Sequence, residues 1–426
     1  MRNKSGSAAL RFAEQLAYAA LGAAVGVAAG ALGGLFGAGV EHLSAFGMKY
    51  FQIYVWFLPA AGLFTAAILR MSGRNAALGM RALFEASRGE RDVFPLRNAA
   101  VQFAGTWCAH LFCASVGREG AGVQIGAAVG GAVGRAVPLR GADRILLVAG
   151  MAAGFSALFK TPVGALFFAL EVTVVGGLRL RALVASLFAS FAAYFTVLLF
   201  GFAPAAVPVS FDFALSVPVF FRLFAFGALC GIAGFVFCTA RKYMSAFFEA
   251  AMPNRFVRVA AAGLLLAALL YLSGGRYSGL GTNLIDAAFA GGSVWYDCLV
   301  KLLFTAAFLS VGFVGGEVTT LFAAGACLGA SAGGLLGIPV QAAVCLGYVA
   351  VFGAATNTLL APAIIGCELF GGASLPFMAV VCLAAYLFNF GRSVYNQKVQ
   401  ETVGEAVAAG IRRRKKTLLP LPRRLY

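Results

Sequence analysis

The chain has 426 residues, of which 61% are hydrophobic and 12% are charged, and its mean hydropathy is +0.88. Soluble globular proteins have about 45–50% apolar and about 25% charged residues, so this composition excludes a large soluble domain and predicts a polytopic membrane protein. The net charge of +17 would suggest a nucleic-acid partner in a soluble protein, but here the basic residues lie at the chain ends and in short loops, where they indicate topology and contact with anionic lipid.

The first apolar stretch, at about 16–36, is long enough to stay in the membrane as a span instead of being removed as a signal peptide. Basic residues before it, such as Arg2 and Lys4, and a basic tail at 406–426 place both termini in the cytoplasm by the positive-inside rule. The chain length allows about 12 to 18 helices, some of them too short to cross. Spaced glycines, as at Gly126 and Gly130, favour close helix packing.

The first motif with functional potential is Gly117-Arg118-Glu119-Gly120. A glutamate inside an apolar bundle is costly, so it is a functional candidate by default. Glycines around it indicate a helix N-terminus, where free amide groups and the helix dipole favour an anion. The carboxylate of Glu119 can occupy such an anion site and leave it when protonated. The alternative is a permanent ion pair between Arg118 and Glu119, although successive helical residues point about 100° apart.

A second motif, Gly315-Gly-Glu-Val-Thr-Thr320, opens another predicted helix. A threonine hydroxyl and amide groups there could face an anion, and Glu317 would supply a second protonatable group. Alternatively, Glu317 and Thr319 cap the helix. Near the end of the apolar region, Tyr395 could donate its hydroxyl to an anion, or it could be an interfacial anchor.

An internal repeat relates these motifs. Glu317 follows Glu119 by 198 positions, and Glu368 follows Glu171 by 197 positions within similar segments. The repeat predicts two halves of similar structure, at about 15–205 and 215–405. Hydropathy alone leaves open whether the halves are parallel or inverted. The symmetric positions of Glu171 and Glu368 at helix ends favour a structural role, in which each pairs with arginines of nearby loops.

Together these motifs resemble the CLC family of chloride channels and anion/proton antiporters. The sequence Gly-Arg-Glu-Gly-x-x-Val-Gln-Ile-Gly at 117–126 is similar to a signature of that family. The sequences at 154–172, 315–319 and 357–370 resemble those of its fluoride/proton antiporter branch. The resemblance covers roughly residues 75–400, and the motifs follow one another in the order and at the spacing of the family.

The resemblance implies roles for particular residues. Glu119 matches the gating glutamate that exchanges its carboxylate for the transported anion, and Glu317 matches a second acidic residue. Met80 stands where chloride-selective members have an anion-coordinating serine and some fluoride exporters have methionine. The full set of implied anion-binding residues is Met80, Phe84, Gly117, Arg118, Gly120, Thr319 and Tyr395.

Several positions differ from the family pattern. Thr320 and Leu359 replace prolines that are usual in the branch, and Lys160 replaces a small residue. Val172 stands where chloride/proton antiporters have an inner proton-transfer glutamate, so protons need another route in this protein.

The resemblance also implies an all-α polytopic fold. Two inverted halves would contain broken or re-entrant helices whose N-termini face a central anion site. We expect a single transmembrane domain across 1–426 without a soluble nucleotide-binding domain, a homodimer in the inner cell membrane, and no metal, cofactor or nucleic-acid partner.

The function implied is export of fluoride in exchange for protons. The alternative within the family is a chloride channel or a chloride/proton antiporter. An intramembrane enzyme is disfavoured because the sequence has no aspartate pair at helical spacing. A cation or organic-solute transporter is disfavoured because the motifs present hydrogen-bond donors instead of the several oxygen ligands that a cation requires.

Overall fold

The computed structural model of the protein describes residues 2–73, 78–91, 93–139, 141–202, 207–395 and 397–399, and of these it describes the side chains within 12–397. The basic tail at 406–426, and the side chains of Arg2 and Lys4, lie outside this description. The predicted cytoplasmic position of both termini therefore stays a prediction.

The described residues form 17 α-helices, which confirms the all-α fold class. The helices are α1 (Arg2–Lys49), α2 (Phe51–Tyr54), α3 (Leu58–Ser72), α4 (Met80–Arg88), α5 (Arg97–Leu111), α6 (Glu119–Ala136), α7 (Ala142–Phe159), α8 (Pro162–Glu171), α9 (Leu183–Leu199), α10 (Val217–Ala251), α11 (Arg255–Leu272), α12 (Thr282–Phe289), α13 (Asp297–Val311), α14 (Val318–Ala332), α15 (Val340–Thr356), α16 (Leu360–Phe370) and α17 (Leu375–Leu387). Two short strands, β1 (Val174–Val175) and β2 (Lys398–Val399), pair in parallel.

Only some of these helices are long and apolar enough to cross a membrane. Six apolar segments of the described chain are long enough to cross a bilayer: Phe12–Lys49, Phe51–Ser72, Ala142–Phe159, Leu180–Leu199, Val217–Ala251 and Arg255–Leu272. Others, such as α8 and α14, are apolar but contain only 10 and 15 residues. A span needs about 20 residues, so these shorter helices end within the protein interior. Their exposed backbone groups must be satisfied there by protein, water or ligand.

The repeat seen in the sequence reappears in the packing. In the first half α1 packs on α9 and α6 packs on α7, and in the second half α10 packs on α17 and α14 packs on α15. Helices α3 and α11, and likewise α8 and α16, meet across the two halves. The predicted glycine contacts are present: a Cβ atom at Gly126 would collide with the Gly150 carbonyl of α7, and one at Gly325 would collide with the Gly347 carbonyl of α15.

Glu171 and Glu368 show that the two halves are inverted. Glu171, the last residue of α8, accepts hydrogen bonds from the amides of Leu359, Leu360 and Ala361 at 2.6 to 3.1 Å. These amides lie at the start of α16. Glu368, near the end of α16, makes the equivalent contact with the start of α8. The amides of residues 163 and 164 donate to its carboxylate at 3.0 and 2.6 Å. Each helix therefore caps the other, and the two run antiparallel.

This reciprocal capping corrects the prediction that Glu171 and Glu368 pair with loop arginines. The structural role holds, but the partners are backbone amides. Helix α16 begins inside the bundle, where its first amides have no intrahelical acceptor. A carboxylate at that end also interacts favourably with the helix dipole, so it satisfies both requirements without a buried arginine.

Candidate functional site

Two helix N-termini converge at the junction of the halves. Helix α6 begins at Glu119 and α14 begins at Val318. The residues just before them are joined by an antiparallel backbone pair, in which the Gly316 amide donates to the Gly117 carbonyl at 2.7 Å and the Gly117 amide donates in return. Glycine is needed at position 316 for this approach, since a Cβ atom there would lie 2.6 Å from the backbone nitrogen of Gly120. The free amides of both helices therefore open onto one small region.

The carboxylate of Glu119 occupies that region. Its side chain is buried, with 1% of the residue exposed. One carboxylate oxygen accepts hydrogen bonds from the amide of Thr319 at 3.1 Å, from the Thr319 hydroxyl, and from the amide of Arg118 at 3.2 Å. A negatively charged group from the first half is thus held by donors at the N-terminus of a helix from the second half.

Arg118 contacts Glu119 and continues outward to α1. Its Nε atom lies 3.4 Å from the other Glu119 carboxylate oxygen, and its guanidinium bonds Glu41 at 2.7 Å. The 100° separation that argued against an Arg118–Glu119 contact applies only within a helix, and Arg118 precedes α6 as its N-cap residue. Because Arg118 is shared with Glu41, it is not committed to Glu119 alone.

Glu317 precedes α14 but does not act as its side-chain cap. The residue is 4% exposed, and its Oε1 atom has no hydrogen-bond partner among the described residues. Its Oε2 atom lies 3.7 Å from the guanidinium of Arg241. The capping alternative therefore has no support in the geometry, and the Glu317 carboxylate is available to another partner.

A cavity of about 640 Å³ opens beside these residues. Met80, Glu317 and Tyr395 line it, and Tyr395 packs its ring edgewise on the buried Phe84, with 5.2 Å between ring centroids. The Tyr395 hydroxyl makes no well-formed hydrogen bond among the described residues, although it lies within interaction range of Glu317. The basic residues of the lining are Arg81, Arg241, Lys242, Arg255 and Arg392. Glu317 is its one acidic residue among those described, so the cavity attracts anions.

The predicted site residues therefore fall into two connected groups. Gly117, Arg118, Gly120, Glu119 and Thr319 meet at the paired helix starts, where the α-carbon of Gly316 would lie 3.2 Å from a Cβ atom at Gly120. In the second group, Met80, Glu317 and Tyr395 line the cavity, and Phe84 packs against the Tyr395 ring.

Sequence reasoning missed Lys301, which is fully buried in α13. Its ammonium group donates to the Ser115 hydroxyl at 2.9 Å and to the carbonyls of Tyr277 and Gly279 at 3.0 and 2.8 Å. The bonds tie α13 to the segment that leads into Gly117. The available signal was a lysine within an apolar helix, which is as notable as an intramembrane glutamate.

A pair of buried amides was also missed. Gln102 of α5 donates to Gln124 of α6 at 3.1 Å, and Gln124 donates to the Gly120 carbonyl at 3.2 Å. Both glutamines line the cavity. Val172, by contrast, is fully buried at the end of α8 and brings no acidic group to the interior.

A model of the voltage gated chloride channel family matches residues 62–389 of the chain. The chain belongs to this family of anion transport proteins.

Individual relatives agree with the assignment. The chain is 34% identical over 310 residues to the chloride/fluoride channel protein of Pseudomonas syringae pv. tomato, covering 70% of this chain and 68% of the relative. It superposes on the crystal structure of a CLC-type fluoride/proton antiporter with a TM-score of 0.88 and 39% identity, covering 90% of this chain and 98% of the other. The structure of a slow cyanobacterial Cl⁻/H⁺ antiporter, at 16% identity and a TM-score of 0.76, covers 88% and 95% of the two chains and shares the fold.

Proposed function

We propose that this CLC protein exports fluoride in exchange for protons and that Glu119 is its gate. The observation that carries the proposal is the position of the Glu119 carboxylate, which accepts the amide and hydroxyl of Thr319 at the start of α14. Such donors, aligned with a helix dipole, are a ready site for a small anion. A solved structure that shares 39% of its sequence is described as a fluoride/proton antiporter.

Proton binding and anion binding compete for the same donors in this arrangement. While Glu119 is charged, it accepts strong, charge-assisted hydrogen bonds from Thr319 and Arg118. When a proton neutralises the carboxylate, these bonds weaken and the side chain can leave. Fluoride then takes the vacated amide and hydroxyl donors. Each proton that binds Glu119 therefore frees the site for one anion, and this couples the proton flux to the fluoride flux.

Glu317 serves as the second protonatable group in this proposal. It lies two residues before Thr319 and lines the large cavity, with Oε1 unpartnered among the described residues. The positive charge of Arg241, 3.7 Å away, stabilises the negative charge of the Glu317 carboxylate. Val172 supplies no carboxylate, so Glu317 takes over the proton exchange that the family usually assigns to that position.

The lining of the cavity supports an anion as the cargo. Five basic side chains and one carboxylate among the described lining residues create a positive potential that concentrates anions. Met80 begins α4 at the cavity and has no hydroxyl to offer a larger halide. Fluoride is a stronger hydrogen-bond acceptor than chloride, so it gains more from the few donors at Thr319 and Arg118.

We extend the proposal to the topology and assembly of the protein. Both termini would face the cytoplasm, the inner cell membrane would be the location, and two subunits would associate with one pathway in each.

Chloride is the competing cargo because one relative is named a chloride/fluoride channel protein. The deciding experiment is anion efflux from liposomes that contain the purified protein, followed with a fluoride electrode and a chloride electrode. We expect fluoride efflux to be far faster than chloride efflux. Equal rates would reject fluoride selectivity while leaving the family assignment intact.

A further inference from the structure

Helix α5 has a buried polar stripe that the proposed mechanism does not use. The stripe consists of Asn98, Gln102, Thr106 and His110, spaced four residues apart on a helix that is otherwise largely apolar. At most 4% of each residue is exposed. Neighbours at this spacing lie next to each other on a helix, so the four side chains form a line that winds gradually around α5 over about 18 Å, at 1.5 Å per residue.

Every member of the stripe has a polar atom without a hydrogen-bond partner among the described residues. These atoms are both side-chain heteroatoms of Asn98, Oε1 of Gln102, Oγ1 of Thr106 and Nε2 of His110. Leaving one buried polar atom unsatisfied costs about 1–3 kcal/mol. Five such atoms on a single helix would be a large penalty if the stripe were dry.

Water molecules would satisfy these atoms at this spacing. Neighbouring side chains at i and i+4 have Cβ atoms about 5–6 Å apart, which is close to two successive hydrogen bonds of about 2.8 Å through one water. A buried water needs about three polar partners. Each gap in the stripe offers at least two side-chain groups, and a neighbouring water in the file would supply the third partner.

Two members of the stripe, its second residue Gln102 and its last residue His110, lie at useful places. Gln102 lines the large cavity and bonds Gln124, which in turn bonds the Gly120 carbonyl beside Glu119. At the other end, His110 lies within electrostatic reach of Arg118 and Lys301. The stripe therefore extends from the cavity to the neighbourhood of the Arg118–Glu119 pair.

The protonation of His110 suits it to end a water chain. Its Nδ1 atom lies 3.0 Å from the Thr106 carbonyl. A carbonyl only accepts, so Nδ1 carries the hydrogen and the neutral ring presents Nε2 as an acceptor. A water that donates to Nε2 is thereby oriented along the stripe.

We propose that the stripe of α5 holds a file of water molecules that carries protons between the cavity and the Arg118–Glu119 region. In each step one water gives a proton to the next, so that one O–H bond breaks and another forms, and the charge moves without movement of an anion. This inference rests on the proposed proton coupling. It also supplies a route that does not need a carboxylate at Val172.

Thr106→Val tests the route in proteoliposomes. Valine keeps the shape of threonine but removes the hydroxyl at the middle of the stripe. We expect the proton flux per fluoride to fall several-fold and to return in Thr106→Ser. The control is Thr305→Val in α13, which follows Thr106 by 199 positions and is equally buried and equally unpartnered; its coupling should equal that of the wild type. Unchanged coupling in Thr106→Val, or a parallel loss of both fluxes, would overturn the route.

A second measurement detects the water itself. X-ray radiolysis converts bound water to hydroxyl radicals that modify adjacent side chains, and mass spectrometry locates the modification. We expect modification of His110 in the wild type and less of it in Thr106→Val. An unmodified His110 would overturn the hydrated stripe. If the wild-type protein moves fluoride without protons and His110 is nevertheless modified, the proposed coupling is wrong. Protons are then not carried along the stripe, although the water file itself is confirmed.

Discussion

The amide and the hydroxyl of Thr319 both donate to one carboxylate oxygen of Glu119, a residue 200 positions earlier in the chain. The contact joins the N-termini of α6 and α14, and with them the two halves of the protein. It also places a titratable acid on donors suited to a small anion. The chemistry of the site follows from the competition between this acid and the anion.

Thr319→Val should weaken fluoride binding. Valine removes the hydroxyl but keeps the amide, so one donor of the site is lost. In a buried site one such hydrogen bond contributes about 1–3 kcal/mol, which is a factor of roughly 5 to 150 in affinity. Isothermal titration of fluoride into the purified protein measures the change.

Thr320→Val is the matched control for that substitution. The Thr320 hydroxyl donates to the Glu317 carbonyl at 2.6 Å, within its own helix start, and does not contact Glu119. Its loss should leave fluoride affinity within about twofold. If both variants bind fluoride equally well, Thr319 does not contribute a donor to the anion.

Glu119→Gln should remove the exchange of protons. Glutamine has nearly the volume of glutamate, but its amide cannot take up and release a proton near neutral pH. Fluoride movement then either stops or becomes an uncoupled leak, and in both cases a fluoride gradient no longer moves protons. The measurement is proton uptake by liposomes with a fluoride gradient imposed, and normal uptake in the variant would exclude Glu119 as the gate.

Glu317→Gln should abolish coupling with little change in thermal stability. The Glu317 side chain does not cap α14, and its ion pair with Arg241 spans 3.7 Å. Thermal unfolding and proton flux are measured on the same preparation. A fall in melting temperature with intact coupling would make Glu317 a structural residue.

Glu368→Gln is the contrasting case. Its two carboxylate oxygens each accept one amide at the start of α8, so glutamine keeps one acceptor, presents an NH₂ group to the other amide and removes the charge that stabilises the helix end. We expect a loss of about 1–2 kcal/mol in the free energy of unfolding, as for other N-cap losses, with proton coupling retained. A variant as stable as the wild type would mean that the cap contributes little.

Lys301→Met should destabilise the protein. The methionine fills most of the volume, but three acceptors on Ser115, Tyr277 and Gly279 lose their donor in the interior. Each unsatisfied group costs about 1–3 kcal/mol, less where water enters. The melting temperature in detergent should fall by several degrees, and an unchanged value would show that these acceptors find other donors.

Much of this arrangement was predictable from the sequence. The hydropathy, the Gly-Arg-Glu-Gly motif and the offset of 197 or 198 positions between similar segments indicated a helical membrane protein of two similar halves. The glutamate at the start of α6 and the threonine at the start of α14 were both found, because glycine-rich helix starts with an acid or hydroxyl are unusual in an apolar chain.

Other features depend on contacts that sequence patterns do not specify. The partners of Glu171 and Glu368 were predicted as arginines, whereas each glutamate caps the helix of the other half. This contact requires knowing that α8 and α16 run antiparallel. The polar stripe of α5 also escaped notice, because Asn98, Gln102, Thr106 and His110 read as ordinary residues until their burial and missing partners are known.

The most direct test of coupled fluoride export is uphill proton movement driven by fluoride alone. Liposomes with the wild-type protein are loaded with fluoride and diluted into fluoride-free medium at equal pH, with the membrane potential clamped, and the internal pH is followed. We expect fluoride to leave while protons enter, so that the internal pH falls although the pH was equal on both sides at the start. Loading with an equal concentration of chloride should change the internal pH little. Fluoride efflux with no change of internal pH would contradict coupled export.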